Sequence, residues 1–331
     1  MKRVLLVRND NVGDLVCSIP AICLVRERLP EAEIRLVVNS YNAAVVEPLT
    51  PRWVDRCVIY TKTKHSGLNP AQATRLVQFY AGLLAWPCDA AFLLVGGESR
   101  QARAFARWAR ARRVFGYGAG TEGPAWQEGL HEVEYRWRLV AQALGVSAPP
   151  PAEIGYPIRA AGNRVALQMT SRKPGNRWPA ARFAELARGM ADSLGARVLL
   201  FWSPGDVATP THPGDDAKAA EIASLAGDAV EPAPTRTLRD LIARLAECCA
   251  MVTPDGGAMH LAAAMGVRVL ALFGASAPAR WRPWTTKAVV LQSPTQTLDD
   301  LSVREVLAAW KAHFPSQAPR APDLFQSNLT T

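Results

Sequence analysis

Short apolar runs rich in β-branched residues alternate along the chain with longer stretches of helical periodicity. The strand-like runs cover residues 2–8, 33–39, 56–60, 89–95 and 113–115 in the first half, and 164–168, 196–202, 250–253, 268–273 and 287–292 in the second. The helical stretches between them include 179–194, 216–226, 237–249 and 255–265. Strands that alternate with helices form parallel sheets with helices on both faces. The pattern therefore predicts an α/β fold.

A proline-rich segment interrupts this alternation near the middle of the chain. Residues 147–153 read Ser-Ala-Pro-Pro-Pro-Ala-Glu, and proline can neither continue a helix nor donate to a strand ladder. We therefore predict two Rossmann-like, doubly wound domains, residues 1–152 and 153–314, that face a cleft at the carboxyl ends of their strands. The closing segment 315–331, rich in proline, serine, glutamine and threonine, predicts a disordered tail.

The composition indicates in which cellular compartment the protein is located. The 331 residues are 49% hydrophobic, yet no apolar run approaches the ~20 residues that cross a bilayer. The six cysteines form no CxxC pair and are interpreted as buried thiols of a reducing compartment. Arg8 and Asp10 interrupt the first apolar run before it could act as a signal sequence. We therefore expect a cytoplasmic protein.

The formal net charge of +9 favours an anionic partner. No helix-turn-helix, zinc-finger or RNP signature accompanies the charge, so we expect no nucleic acid and retain nucleotides and lipid phosphates. Arg100, Arg103, Arg107 and Arg110 recur at spacings that place them on one helix face. We interpret this arginine stripe as a contact for an anionic acceptor or membrane surface, with a solvated basic face as the alternative.

A phosphate-binding loop is indicated between residues 251 and 266. Asp255, Gly256 and Gly257 separate an apolar run from a short apolar helix. Glycines let backbone N–H groups approach an anion closely, and the helix start adds unpaired donors and the positive end of its dipole. The pattern favours a pyrophosphate site, with a plain N-cap at Asp255 and a tight turn as the alternative.

The same loop carries a family resemblance. Asp255-x-Gly257-x-x-His260, followed by Leu-Ala-Ala-Ala-x-Gly-Val, a strand ending in Phe-Gly and then Arg-Trp-x-Pro-Trp, resembles the donor site of glycosyltransferase family 9, the ADP-heptose:lipopolysaccharide heptosyltransferases. The opening Asn-Asp-Asn-Val-Gly13-Asp14 is similar to that family's first strand and Gly-Asp loop. The resemblance implies the GT-B architecture, in which the N-terminal domain holds the acceptor and the C-terminal domain the nucleotide-sugar.

The resemblance also assigns roles on the acceptor side. Asp14 becomes the general base that takes the proton of the acceptor hydroxyl, with Asp10 as its local competitor. The alternative for Asp14 is a carboxylate that only complements a helix dipole. The last helix, about 297–313, is expected to cross back onto the first domain. The charge pattern, apart from the resemblance, adds acceptor contacts at Lys62, Lys64, Arg100, Arg103 and Arg107, with His65 in the same loop as the lysines, and Gly13 is assigned to the same side.

On the donor side, a third motif runs from residue 168 into Trp178-Pro179. Family members place hydroxyls and a lysine here to hold the diphosphate, and the lysine stands two residues before the Trp-Pro pair. This chain has Asn176 at that position, which can hydrogen-bond a phosphate but cannot neutralise it. We expect Arg172, Lys173 or Arg177 to supply the charge. The predicted donor-binding residues are Thr170, Ser171, Lys173, Asn176, Arg177, Asp255, Gly256, Gly257, Ala258 and His260.

Four residues are assigned around the donor sugar, its phosphate and the nucleoside. Asp255 matches the family's acidic residue beside the donor sugar, and His260 is expected either to donate to phosphate or to pack against the sheet. Family members bind the nucleoside with an acidic residue after a Trp-x-Pro-Gly turn, which in this chain is Asp206. Arg236, which lies between two threonines, is expected near the base.

With these features, the resemblance implies an inverting glycosyltransferase that moves a sugar, expected to be heptose from ADP-heptose, to a lipopolysaccharide-core or related saccharide acceptor. No Asp-x-Asp pair is present, so we expect no metal and no other cofactor. Peripheral contact with the anionic inner membrane would fit the basic charge. The alternatives are a non-catalytic relative that binds a nucleotide-sugar or lipopolysaccharide precursor, and a transferase that uses another nucleotide-sugar. A dehydrogenase is disfavoured because no Gly-x-Gly-x-x-Gly follows the first strand.

Overall fold

The computed structural model describes residues 1–61, 69–195, 197–206 and 214–314. The predicted acceptor residues Lys62 and Lys64, the neighbouring His65 and the 315–331 tail lie outside these residues. Two parallel sheets with helices on both faces make up the described chain. The predicted α/β architecture is confirmed, and the domain limits at 152 and 153 stay a prediction.

The first half of the chain forms a five-stranded sheet. Its strands are β1 (Arg3–Val7), β2 (Glu33–Asn39), β3 (Arg56–Tyr60), β4 (Ala90–Leu93) and β5 (Arg113–Phe115), in the order β3-β2-β1-β4-β5. Its helices are α1 (Val12–Val16), α2 (Ile19–Arg28), α3 (Ala43–Val46), α4 (Pro70–Leu84), α5 (Arg100–Trp108) and α6 (Glu132–Ala143). Along β1, Val4 and Leu6 pack in one core and Leu5 and Val7 in the other. Successive strand side chains point to opposite faces, so a strand covered on both sides is apolar throughout.

The second half forms a six-stranded sheet. Its strands are β6 (Arg164–Gln168), β7 (Val198–Trp202), β8 (Val230–Pro234), β9 (Cys248–Pro254), β10 (Arg268–Phe273) and β11 (Ala288–Gln292), in the order β11-β10-β9-β6-β7-β8. Its helices are α7 (Ala180–Leu194), α8 (Asp216–Ala226), α9 (Leu238–Ala246), α10 (Gly257–Ala264), α11 (Pro278–Trp281) and α12 (Val303–His313). Strand β8 was not predicted because it contains Pro232 and Pro234, and its position at the sheet edge is where a strand tolerates proline.

The expectation that the last helix crosses back onto the first half is wrong. Helix α12 packs on α7 and β11 of the second sheet. Val306 and Trp310 are buried in the same core as Trp178, whose indole Nε1 donates to the Leu301 carbonyl at 3.0 Å. The apolar face of α12 is therefore buried against the second half of the chain.

The two halves meet where α1 packs against α10. A Cβ on Gly13 would lie 2.6 Å from His260 Cδ2, and a Cβ on Gly257 would lie 2.9 Å from Val12 Cβ. Each helix therefore presents a glycine where the other presents a side chain. One hydrophobic core continues from the first sheet through this contact into the second. Because α1 follows β1 and α10 follows β9, the loops at the carboxyl ends of these strands lie on the two sides of the contact.

Candidate active site

Asp14 lies just beyond the carboxyl end of β1, in the first turn of α1. One of its carboxylate oxygens is 3.3 Å from Arg8 Nη2, and the other accepts hydrogen bonds from the backbone and side-chain nitrogens of Asn11 at 3.3 and 2.9 Å. The side chain is 15% exposed. A carboxylate held in this way is oriented yet still accessible, which are the properties required of a base for a bound hydroxyl.

Asp10, the competitor for the role of base, lies on the other side of Arg8, with 3.1 Å between its Oδ2 and Arg8 Nη1. Burial raises the pKa of the Asp10 carboxyl in spite of the adjacent guanidinium. The Asp10 backbone carbonyl accepts hydrogen bonds from the side chains of Asn39 and Asn42, which tie it to the first sheet. Asp14 differs from Asp10 because it is linked, through Asn11, toward the second half of the chain.

Arg8 organises this loop, a role in the site that was not predicted. Its side chain is fully buried, and all five guanidinium N–H groups have partners. Nε donates to the Asp14 carbonyl at 2.9 Å, Nη1 to Asp10 and the Leu94 carbonyl, and Nη2 to the carboxylates of Asp14 and Glu132. Burial alone would lower the pKa of Arg8, but the charges of Asp10, Asp14 and Glu132 together raise it above its usual value. An arginine directly after an apolar strand was the available signal, since a buried charge requires partners.

Glu132, the first residue of α6, is a second site residue that was not predicted. Its fully buried carboxylate lies 2.7 Å from Arg8 Nη2, 3.2 Å from Arg136 Nε and 3.0 Å from Arg280 Nη2. Burial acts to raise the pKa of Glu132, but the Arg136 and Arg8 charges prevail and hold it below its usual value. Burial also lowers the pKa of Arg136 to about 10. Since Arg280 lies in α11, this cluster of charges joins the two halves of the chain.

Lys173 is the cation that the structure places beside the predicted donor loop. Its Nζ lies 2.9 Å from Ser276 Oγ and 3.9 Å from Asp255 Oδ2. The lysine side chain is 54% exposed and the aspartate side chain 10%. The other two cations are engaged elsewhere: Arg172 Nη1 is 3.3 Å from Asn11 Oδ1, and Arg177 Nε donates to the Ser171 carbonyl at 2.8 Å. Lys173 is therefore best placed to meet a diphosphate.

We expected Asn176 to face the cleft, where it could bind the donor. Its side chain is instead buried inside the protein. Its Oδ1 accepts hydrogen bonds from the backbone N–H groups of Gly274 and Ala275 at 3.2 and 3.1 Å, and its Nδ2 donates to Ser276 Oγ at 3.2 Å. The short amide fits between two loops and satisfies backbone groups that would otherwise be buried without partners. It fixes the loop that also carries the hydroxyl partner of Lys173.

The two glycines of the donor loop have different surroundings. The missing side chain of Gly257 makes room for Val12, as described above, and not for a ligand. A Cβ on Gly256 would meet no atom within 4 Å, so the open approach to the backbone is at Gly256. The missing side chain of Gly257 thus serves the contact with α1, and the role of its backbone N–H in diphosphate binding stays a prediction. Gly257 and Ala258 begin α10, where backbone N–H groups lack intrahelical partners.

His260 follows the packing alternative of the prediction. Its imidazole is buried between α10 and α1, with Nδ1 3.5 Å from Cys17 Sγ. It packs against α1 of the first half, where Gly13 makes room for it, and not against a sheet. Burial lowers the pKa of His260, which favours the neutral imidazole at the interface between the halves.

The remaining donor residues surround the ends of β6 and β7. Thr170 Oγ1 accepts a hydrogen bond from the Ser203 backbone N–H at 3.1 Å, so this hydroxyl supports the neighbouring turn. Asp206 lines an open cavity of about 730 Å³ together with Arg177 and the start of α8. Arg236 is exposed after β8. These positions agree with a nucleoside site near the ends of β7 and β8, and the role of each residue stays a prediction.

The predicted arginine stripe is shorter than expected. Helix α5 ends at Trp108, and Arg110 follows it with a φ of 45°, so Arg110 leaves the helical register. Arg103 Nη1 donates to the Ala119 carbonyl at 2.7 Å, and Arg103 Nη2 is 3.5 Å from a Glu98 carboxylate oxygen. Arg100 and Arg107 are the exposed arginines of the helix.

Within the described residues, no three His, Cys, Asp or Glu side chains are grouped closely enough to hold a metal ion. In the same part of the chain, no helix combines the length and apolar character needed to span a membrane. The predicted independence from metal and the predicted location stay predictions.

Two parallel-sheet domains, with a carboxylate loop on one side of a cleft and a lysine and a helix start on the other, define a protein of the GT-B glycosyltransferase architecture. The family model described as glycosyltransferase family 9 (heptosyltransferase) matches residues 126–311. Because this match spans more than half of the chain, the chain belongs to glycosyltransferase family 9. The predicted family resemblance is confirmed.

Individual relatives agree with this assignment. Lipooligosaccharide heptosyltransferase 2 of Haemophilus influenzae is 33% identical over 119 residues, which are 36% of this chain and only 33% of that protein. Lipopolysaccharide heptosyltransferase 1 of Escherichia coli is 24% identical over 92% of this chain and 98% of its own length. Solved structures of the E. coli heptosyltransferase WaaC with ADP and with ADP-2-deoxy-2-fluoro heptose have TM-scores of 0.79 and 0.76 at 21% and 22% identity. Each covers 94% of this chain and 99% of the solved chain, and the likeness shows the fold.

Proposed function

We propose that this chain transfers heptose from ADP-heptose to a lipopolysaccharide-core or related saccharide, with inversion at the anomeric carbon and without a metal ion. The observation that carries the proposal is the position of Asp14 opposite the donor loop. The two sides are joined by a hydrogen bond of 3.3 Å from Arg172 Nη1 to Asn11 Oδ1. Family membership supports the transferred sugar, and the solved relative with ADP-2-deoxy-2-fluoro heptose supports the nucleotide.

The geometry is suited to a single displacement. Asp14 takes the proton of the acceptor hydroxyl as that oxygen forms a bond to the anomeric carbon of the donor. The bond from this carbon to the phosphate oxygen breaks in the same step, so ADP leaves from the opposite face and the configuration inverts. Lys173 and the backbone N–H groups of Gly257 and Ala258 stabilise the negative charge of the departing diphosphate.

The acceptor half is proposed to contact the cytoplasmic face of an anionic membrane through α4 and α5. Neither helix contains an acidic residue, while Arg100 and Arg107 are exposed. Val77 and Leu84 of α4 and Trp108 of α5 are 68%, 39% and 43% exposed. Cations next to exposed apolar and aromatic side chains suit the headgroup region of an anionic bilayer. This arrangement supports peripheral contact, in which the acceptor side would lie next to the lipid.

The central test is a turnover assay with ADP-heptose and a lipopolysaccharide-core acceptor in the presence of EDTA. We expect ADP release and a product whose anomeric NMR signal shows the inverted configuration. Asp14→Asn should lower kcat by roughly 10²-fold or more and leave donor affinity nearly unchanged. Asp10→Asn serves as the control and should be mild.

Each part of the proposal has its own contrary outcome. Strict dependence on a divalent ion would exclude the metal-free route, and a retained configuration would exclude a single displacement. Nearly wild-type turnover of Asp14→Asn would remove this residue from the role of base. Binding of ADP-heptose without ADP release would favour the non-catalytic relative. Turnover with a different nucleotide-sugar alone would favour the other alternative.

A further inference from the structure

The buried charge cluster around Glu132 connects the second half of the chain to Asp14. Glu132 Oε1 lies next to Arg8 and Arg136, whereas Oε2 accepts hydrogen bonds from Nη2 and Nε of Arg280 at 3.0 and 3.3 Å. The side chains of Glu132, Arg8 and Arg136 are fully buried, and that of Arg280 is 36% exposed. Arg280 is the only one of these four residues that the second sheet's half contributes.

We propose that Glu132 and Arg280 are positioning residues for the base, and that docking of Arg280 onto Glu132 holds Arg8 in place against Asp14. The inference rests on the proposed role of Asp14. It extends that role by making the orientation of the base depend on the domain that carries the donor site.

One nitrogen of Arg8 links the base to Glu132. Arg8 Nη2 is shared between two carboxylates, at 2.7 Å from Glu132 and 3.3 Å from Asp14. Nη2 has one N–H for each carboxylate, but the attraction of each carboxylate acts on the position of the same nitrogen, which lies closer to Glu132. Arg280 offsets part of the negative charge of Glu132, which weakens the attraction of Glu132 for Arg8 and leaves Nη2 available to Asp14. Without Arg280, Arg8 should move toward Glu132 and release one oxygen of the base.

The residue before Glu132 also contacts the second half of the chain, so the start of α6 forms a joint between the two halves. His131, the N-cap of α6, has its Nε2 2.8 Å from the Arg282 carbonyl oxygen, and its ring lies 4.6 Å from the Trp284 ring. The segment from α11 to Trp284 therefore contacts the start of α6 through an ion pair, a hydrogen bond and a ring contact. Separation of the halves would remove all three contacts together and leave Asp14 less firmly held.

Arg280→Gln is the informative variant, because Arg280 is partly exposed and its loss leaves Glu132 paired with Arg8 and Arg136. We expect kcat to fall roughly 10-fold with the KM values for donor and acceptor within about twofold of wild type. Arg280→Lys should recover part of the loss, since it restores the charge. Arg282→Gln is the matched control, because Arg282 contributes its backbone carbonyl to the joint and its guanidinium lies over the Trp284 ring without contacting Glu132 in the charge cluster described above. Its kcat should match wild type.

A double-mutant cycle with Asp14→Asn tests whether Arg280 affects turnover through Asp14. If Arg280 acts through the base, Arg280→Gln should cause no further loss of kcat in the Asp14→Asn background. A fully additive loss, or a rise in acceptor KM with kcat unchanged, would overturn the proposal in favour of direct substrate contact. Turnover that survives in Asp14→Asn alone would refute the role of Asp14 as base, whereas an unaffected Arg280→Gln would refute only the positioning.

Glu132→Gln provides a second measurement. Removing this carboxylate leaves two buried arginines short of a partner, which usually destabilises a protein, so kcat is compared only after the thermal midpoint has been recorded. The expected result is a loss of kcat at least as large as that of Arg280→Gln, in a variant that remains folded at the assay temperature. A folded Glu132→Gln with wild-type kcat would contradict the proposal.

Discussion

The two glycines of the donor loop allow a sharp test, because the same atom can be added one residue apart. In Gly257→Ala the new Cβ would lie 2.9 Å from Val12 Cβ and 3.1 Å from Val12 Cγ1. Carbon atoms prefer about 3.5–4.0 Å, so the helices must separate by roughly half an ångström. In Gly256→Ala the new Cβ meets no atom within 4 Å and fills the space through which a diphosphate would reach the backbone.

The expected effects separate stability from binding. Overpacking costs about 1–3 kcal/mol, which corresponds to a fall of about 2–10 °C in Tm for Gly257→Ala. Gly256→Ala should lose at most about 1 kcal/mol, as a poorer helix cap. The same range of 1–3 kcal/mol applied to a crowded ligand predicts roughly 5- to 150-fold weaker ADP binding for Gly256→Ala. ADP binding by Gly257→Ala should stay within about threefold of wild type.

Titration calorimetry with ADP and differential scanning calorimetry of both variants provide the two measurements. Normal ADP binding by Gly256→Ala would show that the diphosphate does not approach this backbone. An unchanged Tm for Gly257→Ala would show that the contact between α1 and α10 is looser than described. The reverse pattern, with the stability loss at Gly256 and the binding loss at Gly257, would refute both arguments.

Three further predictions concern other parts of the site. Lys173→Met removes the donor-loop charge at nearly constant length and should weaken ADP binding about 10-fold or more by calorimetry; equal affinity would move the charge requirement elsewhere. Burial lowers the pKa of His131 to about 4, so the stability that its neutral form contributes is complete above pH 6.5 and decreases as the pH falls toward 4. That contribution is roughly 3 kcal/mol at most, and His131→Asn, which preserves a helix cap, should flatten the dependence of the urea midpoint on pH. Trp108→Ser and Arg107→Gln should both reduce co-sedimentation with phosphatidylglycerol vesicles, and only the second effect should shrink at high salt; binding equal to wild type at low salt would exclude this surface.

Much of the fold could be predicted because its signals are local. Strands such as Glu33–Asn39 and Arg164–Gln168 have the predicted limits, since buried parallel strands are continuous apolar runs. Strand β8 was missed because its prolines outweigh its neighbours in any local pattern. The predicted packing of α12 was wrong because helical periodicity reveals an apolar face without showing what covers it.

The site shows the same division between local and distant information. The loops that carry Asp14 and Asp255 could be located from motifs, because each motif is short and lies at a strand end. The partners of Arg8 could not, since Glu132 is 124 residues away in sequence and Arg280 lies 148 residues beyond Glu132. The surroundings of Gly256 and Gly257 also depend on the other half of the chain. The two glycines indicated that another group approaches this backbone closely. They did not indicate whether that group is a ligand or a side chain of the other half.

The reciprocal contact between α1 and α10 has a consequence for how this protein can be recombined and how it can evolve. Gly13 accommodates His260, and Gly257 accommodates Val12, so each half carries one small and one large residue of a matched set. A hybrid that joins one half of this chain to the other half of a relative keeps its interface only if the incoming half preserves this order of small and large residues. Substitutions at these four positions should therefore be inherited together, although the chain places them in different domains.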